Sequence, residues 1–213
     1  MNLKALVFST ILLATTTAYA ETTLNKSIRI SDGQTVEHSL NSINGSINIG
    51  SDTEILAGTR SVNGGIKVGD DSRTENLYSV NGGIRIGSRV TIDGDLQTVN
   101  GTIRTGEDTV VTGGVESVNG DANLVGTTVY ADLQTINGSL TLDRGSRIQG
   151  NVIVEESHGN NHHRQKPLRI DIRNGSIVEG DIDILDKDRE VIVRLSSGGT
   201  VVGQINGAEV IEE

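Results

Sequence analysis

The sequence lacks cysteine and tryptophan, and it has one proline and one phenylalanine among its 213 residues. Without cysteine, neither disulfide bonds nor cysteine-ligated zinc can hold the fold together. Aromatic residues make up only 2% of the chain, which argues against stacking on single-stranded nucleic acid. Nucleophile-elbow, phosphate-loop and metalloprotease-helix motifs are also absent from the sequence.

What the chain has in excess is glycine and β-branched residues. Glycine occurs 27 times, and 23 isoleucines and 21 valines far outnumber the 16 leucines. Because β-branched side chains prefer strands, this composition favours an all-β protein over a helical bundle.

The first twenty residues resemble an export signal. Lys4 precedes a mainly apolar run from Ala5 to Ala14, and the segment ends in Ala18-Tyr19-Ala20. A basic start, a short apolar run and an A-x-A site are typical of a secretory signal peptide, and the run is about half the length a membrane span needs. We predict a signal peptide over residues 1–20, a bacterial protein exported to the periplasm, the cell surface or the extracellular space, and no transmembrane segment after cleavage. Removing Lys4 would change the net charge from −10 to −11.

A tetrapeptide repeat dominates the rest of the chain. The motif [Ser/Thr]-[Val/Ile]-Asn-Gly recurs every 18 or 19 residues, with its asparagines at Asn44, Asn63, Asn81, Asn100, Asn119 and Asn137. Between successive motifs, short stretches of alternating apolar and polar residues are separated by glycine-rich breaks. This pattern predicts three short strands per repeat, stacked as the coils of a single parallel β-helix over residues 21–213. One later interval is longer than the 18- or 19-residue repeat, which indicates a loop that protrudes from one corner at about residues 155–168.

Asn-Gly between apolar residues is also a strong hairpin signal, so a meander of hairpins is the competing interpretation. Each stretch between Asn-Gly pairs contains two further breaks, for example at Gly106 and Gly113-Gly114. The arms are too short for regular hairpins, which favours the β-helix.

In a β-helix, the repeated residues would stack into columns. Asparagine and glycine both tolerate left-handed backbone, so we expect Asn-Gly to form a tight left-handed corner. Equivalent asparagines about 4.8 Å apart could form a hydrogen-bonded ladder. If that ladder is buried, Asn100→Ala should cost about 1–3 kcal/mol.

Two sets of residues are candidate binding sites. Arg29, Lys67, Arg85 and Arg104 occupy equivalent outward positions and predict a cationic stripe for an anionic polysaccharide or lipid headgroup, although solubilising charges are the simpler interpretation. The predicted loop contains His158, His162 and His163, which could hold a transition metal but equally suit a solvated loop. We expect no cofactor.

Two repeats carry a family resemblance, residues 61–69 (SVNGGIKVG) and 79–87 (SVNGGIRIG). They resemble the short-coil repeats of bacterial bactofilins and related adhesin-type β-helix proteins, over residues 24–154. The resemblance implies a small right-handed β-helix with a structural, self-assembling role. Because bactofilins act in the cytoplasm, the signal peptide departs from that pattern, and no functional residues carry over.

Three functions follow from these patterns. The first is a non-enzymatic, exported β-solenoid that acts as a structural or adhesion-type scaffold, with partners that are other copies of itself or anionic envelope glycans. The second is an anionic-polysaccharide or lipid-headgroup binding protein that uses the stripe. The third is a polysaccharide lyase or hydrolase, for which Asp93, Asp95, Asp181, Asp183 and Asp186 are the acidic candidates.

Overall fold

The computed structural model of the chain describes residues 21–157 and 167–213. The regular structure in these residues is all β-strand, so the described chain has no helix long and apolar enough to cross a membrane. The predicted signal peptide lies outside the described residues.

The strands form three parallel sheets, which are the three sides of a solenoid. Sheet A contains β1 (Glu21–Thr23), β4 (Leu40–Ser42), β7 (Thr59–Ser61), β10 (Leu77–Ser79), β13 (Leu96–Thr98), β16 (Val115–Ser117), β19 (Leu133–Thr135), β22 (Val152–Val154), β25 (Ile182–Ile184) and β28 (Ile205–Asn206). Sheet B contains β2 (Ile28–Ile30), β5 (Ile47–Ile49), β8 (Ile66–Val68), β11 (Ile84–Ile86), β14 (Ile103–Arg104), β17 (Ala122–Val125), β20 (Leu140–Asp143), β23 (Leu168–Arg173), β26 (Val191–Ser196) and β29 (Glu209–Glu212). Sheet C contains β3 (Thr35–Val36), β6 (Glu54–Ile55), β9 (Arg73–Thr74), β12 (Thr91–Ile92), β15 (Thr109–Val111), β18 (Thr127–Val129), β21 (Arg147–Ile148), β24 (Ile177–Val178) and β27 (Thr200–Val201).

Each strand pairs with the strand one full coil later, in the register that the repeat predicts. Ile84, for example, lies between Ile66 of the preceding coil and Ile103 of the next. The three-strand parallel β-helix is therefore confirmed and the hairpin meander is wrong. We number the coils 1 to 10 by their strand in sheet A, so that coil 1 begins with β1 and coil 10 with β28.

A single apolar core runs along the inside of the solenoid. Inward residues of all three sheets, such as Ile47, Ile92 and Leu96, are almost completely buried. One coil is too thin to bury these side chains by itself, so the coils above and below complete the burial. Two threonines, Thr59 and Thr74, occupy inward positions that other coils fill with leucine, isoleucine or valine.

Two insertions lie at the corner between sheets A and B, which we call corner AB. Leu140 pairs with Ile170, thirty positions later, and Ile170 pairs with Val193, twenty-three positions later. The first surplus is the predicted loop, of which residues 158–166 lie outside the described residues. The second, shorter surplus falls between β25 and β26 and was not predicted from the sequence.

The expected left-handed Asn-Gly corner is wrong. The left-handed residues of coils 1–6 instead lie at the corner between sheets B and C, corner BC, and are Gly33, Asp52, Asp71, Arg89, Asp108 and Gly126. At corner AB, glycine is needed for a different reason. A Cβ added to Gly64 or Gly101 would lie closer than 3.0 Å to the glycine carbonyl of the preceding coil. Close stacking of the coils, rather than backbone handedness, requires glycine in the motif.

Candidate functional site

The four predicted stripe cations occupy one column on the outer face of sheet B. Strand pairing places Arg29 beside Asn48, Asn48 beside Lys67, and Lys67 beside Arg85. Arg104 pairs next to Arg85. With parallel strands about 4.8 Å apart, the five coils of this column place four cations along about 19 Å of the solenoid. We call Arg29, Lys67, Arg85 and Arg104 the basic stripe.

All four stripe side chains are exposed. Ion pairs between described residues use other arginines, and none of them includes a stripe residue. The stripe charges are therefore available to an external anion, because neither a carboxylate of the described chain nor burial neutralises them.

Two tracks of small residues border the stripe. Strand alternation places Ser46, Gly65, Gly83 and Thr102 on one side, and Ser31, Gly50, Gly69, Gly87 and Gly106 on the other. The tracks form shallow open depressions of about 280 and 470 Å³ that share Asn48 and Lys67 in their lining. The glycine track beside corner BC also serves coil stacking, since a Cβ on Gly69 would collide with the backbone of Gly50 and Ser51. Close packing of the coils thus leaves the stripe side chains standing between two grooves.

The acids nearest the stripe are engaged elsewhere. At corner BC, Asp32 and Asp70 accept hydrogen bonds from the backbone N–H groups of Ser51 and Ser88, at 2.8 and 2.9 Å. Arg89 donates two hydrogen bonds to Asp71, at 2.6 and 2.7 Å, which holds the pKa of Asp71 below its usual value. These carboxylates stabilise corner BC, and Asp32 also lines the groove on that side of the stripe.

The cationic column ends after coil 5. The next positions along it are Asn123 and Thr141, followed by Asp171, which lies 3.9 Å from Arg194 across the Oδ1–Nε pair. A polyanion bound along the stripe would therefore meet the neutral Asn123 and Thr141 beyond Arg104, and then Asp171 beside Arg194.

The repeated asparagines form a continuous ladder at corner AB. Each side-chain amide donates to the side-chain carbonyl of the asparagine one coil earlier, at 2.8–2.9 Å, from Asn137 down to Asn25. The expectation of a buried ladder is wrong, because the side chains from Asn44 to Asn119 are exposed and only Asn137 is partly buried. An exposed ladder orders the corner but contributes less stability than buried hydrogen bonds would.

A second column explains the serine or threonine of the motif, to which the sequence assigned no role. Ser61 and Thr98 are buried, and their hydroxyls donate to the carbonyls of Gly45 and Gly82 in the preceding coils, at 3.1 and 3.0 Å. Burying the carbonyl of each corner glycine requires a donor there. The motif therefore combines a buried hydroxyl donor with a glycine that permits close approach.

The acidic candidates for a lyase or hydrolase have structural partners. Asp95 and Asp181 accept backbone N–H groups of Gly114 and Gln204, at 2.9 and 2.7 Å. Asp93 pairs with Arg73, Asp183 accepts from Asn206, and Asp186 is 3% exposed. The structure does not bring these carboxylates together in a cleft.

The three candidate metal ligands His158, His162 and His163 lie outside the described residues, so the metal site stays a prediction. Within residues 21–157 and 167–213, no group of three His, Asp or Glu side chains is placed to hold a metal ion.

An apolar column on the outside of the solenoid was not predicted from the sequence. The second motif residue follows an inward serine or threonine and therefore points outward, at Ile43, Val62, Val80, Val99, Val118 and Ile136. These side chains are partly exposed, with Ile43 at 38%. The strict Val/Ile choice at an outward position was the available signal.

The described residues form a three-sided parallel β-solenoid with a cationic column on the outer face of sheet B. No protein-family model, curated protein or solved structure matches the chain. The geometry of the coils is therefore the basis on which a function is inferred for this chain.

Proposed function

We propose that this chain is a non-enzymatic β-solenoid scaffold of the bacterial cell envelope that binds anionic polysaccharide through the basic stripe. The observation that carries the proposal is the column of four exposed cations without ion-pair partners in the described chain. On a protein of net charge −10, such a column concentrates positive potential on one face while the remaining surface repels polyanions.

The spacing favours a linear polymer over a compact anion. Lys67, Arg85 and Arg104 stand on consecutive coils, so their charges repeat about every 4.8 Å along a straight line. A linear polyanion with charges along its length can engage several of these side chains at once, whereas a single phosphate headgroup would engage only one or two of them. The flanking grooves give the sugar rings a surface without large side chains.

Export and the envelope location are part of this proposal and rest on the residues before Glu21. The resemblance to bactofilin-type and adhesin-type repeats supports a structural rather than a catalytic role. Hydrogen-bonded corner carboxylates support the same interpretation, because Asp95 and Asp181 are committed to backbone N–H groups.

The test measures binding of the chain to polygalacturonate at low and high salt. The parent should bind at low salt and release as salt screens the charges, and Arg85→Glu with Arg104→Glu should weaken binding at least about tenfold, or about 1.4 kcal/mol. The matched control is Arg73→Glu with Arg147→Glu, which makes the same charge change on sheet C, where both arginines pair with acids. Equal losses in the two double variants would show that only net charge matters, and unchanged binding in the stripe variant would refute the proposal.

A further inference from the structure

The outer face of sheet A is poor in charge over coils 2–7. Its central part comprises three neighbouring columns, namely the outward residues of the strands, the apolar column and the asparagine ladder. The strand column contains Asn41, Arg60, Tyr78, Gln97, Glu116 and Gln134. Arg60 and Glu116 are the charged residues of these three columns, and the next outward column, towards sheet C, adds Asp95 and Asp132.

This face is complementary to itself when turned end for end. A twofold axis across the solenoid, between coils 4 and 5, places coil 3 of one copy opposite coil 6 of the other. Arg60 then faces Glu116 of the second copy, and the same pair forms again by symmetry. In the apolar column, Val62 faces Val118 and Val80 faces Val99, so each side chain meets another of similar size.

The parallel arrangement lacks this complementarity. With the twofold axis along the apolar column, each coil faces the same coil of the other copy, and the strand column faces the asparagine ladder. Arg60 then faces Asn63, and Glu116 faces Asn119, so neither charge gains a partner of opposite sign. In a closed twofold dimer the same patch of the two copies is in contact. Of the two arrangements, the antiparallel one pairs both charges with a partner of opposite sign.

We propose that the outer face of sheet A binds a second copy of this chain in an antiparallel dimer centred between Val80 and Val99. Six coils at about 4.8 Å give a patch about 29 Å long but only a few residues wide, which is below the size of a standard interface. The dimer is therefore weak and forms in proportion to concentration. Arg60 is held for its partner by stacking on Tyr78, with the guanidinium 4.6 Å from the ring centre.

This proposal does not rest on the proposed function, because the basic stripe lies on sheet B. Sedimentation of the parent protein should show more dimer as concentration rises. Arg60→Glu or Glu116→Arg alone should reduce the dimer several-fold, and the two changes together should restore it. Arg85→Glu, which alters the stripe, should leave the dimer unchanged. A parent that stays monomeric at every concentration, or a double variant that is no better than the single ones, would overturn the proposal.

The absence of cysteine allows a direct test of the register. A mixture of Val62→Cys and Val118→Cys chains should form a disulfide-linked heterodimer under mild oxidation. Val62→Cys chains alone should not cross-link, because the two equivalent positions lie three coils apart in the antiparallel dimer. Efficient cross-linking of Val62→Cys to itself would mean parallel packing and would overturn the antiparallel register. Oligomer state and cross-linking are measured without polysaccharide, so their failure is separate from failure of the stripe.

Discussion

Replacing a buried threonine with valine should stabilise this protein at Thr74 and at Thr59. Thr74 is 1% exposed, lies between Ile55 and Ile92 in its column, and its hydroxyl has no hydrogen-bond partner among the described residues. Thr59 is 2% exposed between Leu40 and Leu77, and its hydroxyl is also unpartnered. On folding, both hydroxyls lose their hydrogen bonds to water and form none to another described residue.

The magnitude follows from that desolvation. A buried hydroxyl without a partner costs about 1–3 kcal/mol, and valine has nearly the same shape with a methyl group in place of the hydroxyl. We therefore expect Thr74→Val to raise the free energy of unfolding by about 1–2 kcal/mol. In a domain of this size that corresponds to roughly 2–4 °C in melting temperature for each kcal/mol.

The assay is urea unfolding followed by circular dichroism, with the midpoints of parent and variant compared at equal slope. The matched control is Thr98→Val. Thr98 is equally buried, but its hydroxyl donates to the carbonyl of Gly82 at 3.0 Å. Thr98→Val should therefore destabilise the protein by about 1 kcal/mol or more. A loss of stability in Thr74→Val, similar to that in Thr98→Val, would refute the reasoning and indicate an internal partner for the Thr74 hydroxyl.

Three further outcomes test the corners. Gly101→Ala should destabilise the protein by at least about 2 kcal/mol through overpacking, since the added Cβ would meet the Gly82 carbonyl. Gly58→Ala is the control and should be tolerated, because only the Asn76 carbonyl lies near its Cβ, at 3.9 Å. Equal unfolding midpoints for the two variants would contradict the stacking argument. Asn100→Ala should lower the free energy of unfolding by only about 0.5–1.5 kcal/mol in the same assay, because its ladder is exposed. A larger decrease would indicate that the ladder is buried. Burial would raise the pKa of Asp143, but hydrogen bonds from Asn174, Arg173 and the Arg144 backbone outweigh it and hold the pKa below its ordinary value. A carboxylate whose pKa is depressed in the folded state stabilises the protein at pH values above its unfolded pKa of about 3.9, and this stabilisation is lost as pH falls through the folded pKa. The difference in unfolding free energy between the parent and Asp143→Asn should therefore shrink in acid. A difference that does not change with pH would be inconsistent with this linkage.

The sequence predicted the fold because each coil repeats the same inward pattern. Ile47, Ile66 and Ile84 recur at one spacing, and stacking places equal residues in register without information from distant segments. The stripe residues were predicted for the same reason, as their outward position follows from strand alternation.

What the sequence did not reveal depends on contacts between coils. The spacing alone gives no distance from the Cα of Gly101 to the Gly82 carbonyl, so glycine was assigned to a left-handed turn that lies instead at Asp71 and its equivalents in corner BC. Burial of the ladder was likewise overestimated, because a corner side chain can stack on its neighbours and still face solvent. The small insertion before β26 was not predicted because it contains no glycine or proline to indicate a loop.

The three sheets carry different chemistry on one common core. The outer face of sheet B presents unpaired cations over coils 1–5, while Arg73 and Arg147 of sheet C pair with acids, and the central columns of sheet A carry few charges over coils 2–7. Since the repeat fixes the inward residues, the corners and the apolar column, the other outward columns are free to differ from sheet to sheet. A dimer through sheet A would leave the basic stripe of each copy outside the contact. Two stripes joined in one particle would bind a polysaccharide with higher avidity than a single stripe and could bridge two polymer chains. The dimer-breaking variant Arg60→Glu should accordingly weaken retention on a densely coated polygalacturonate surface more than binding to a short soluble oligomer, and equal losses on both would argue against bridging.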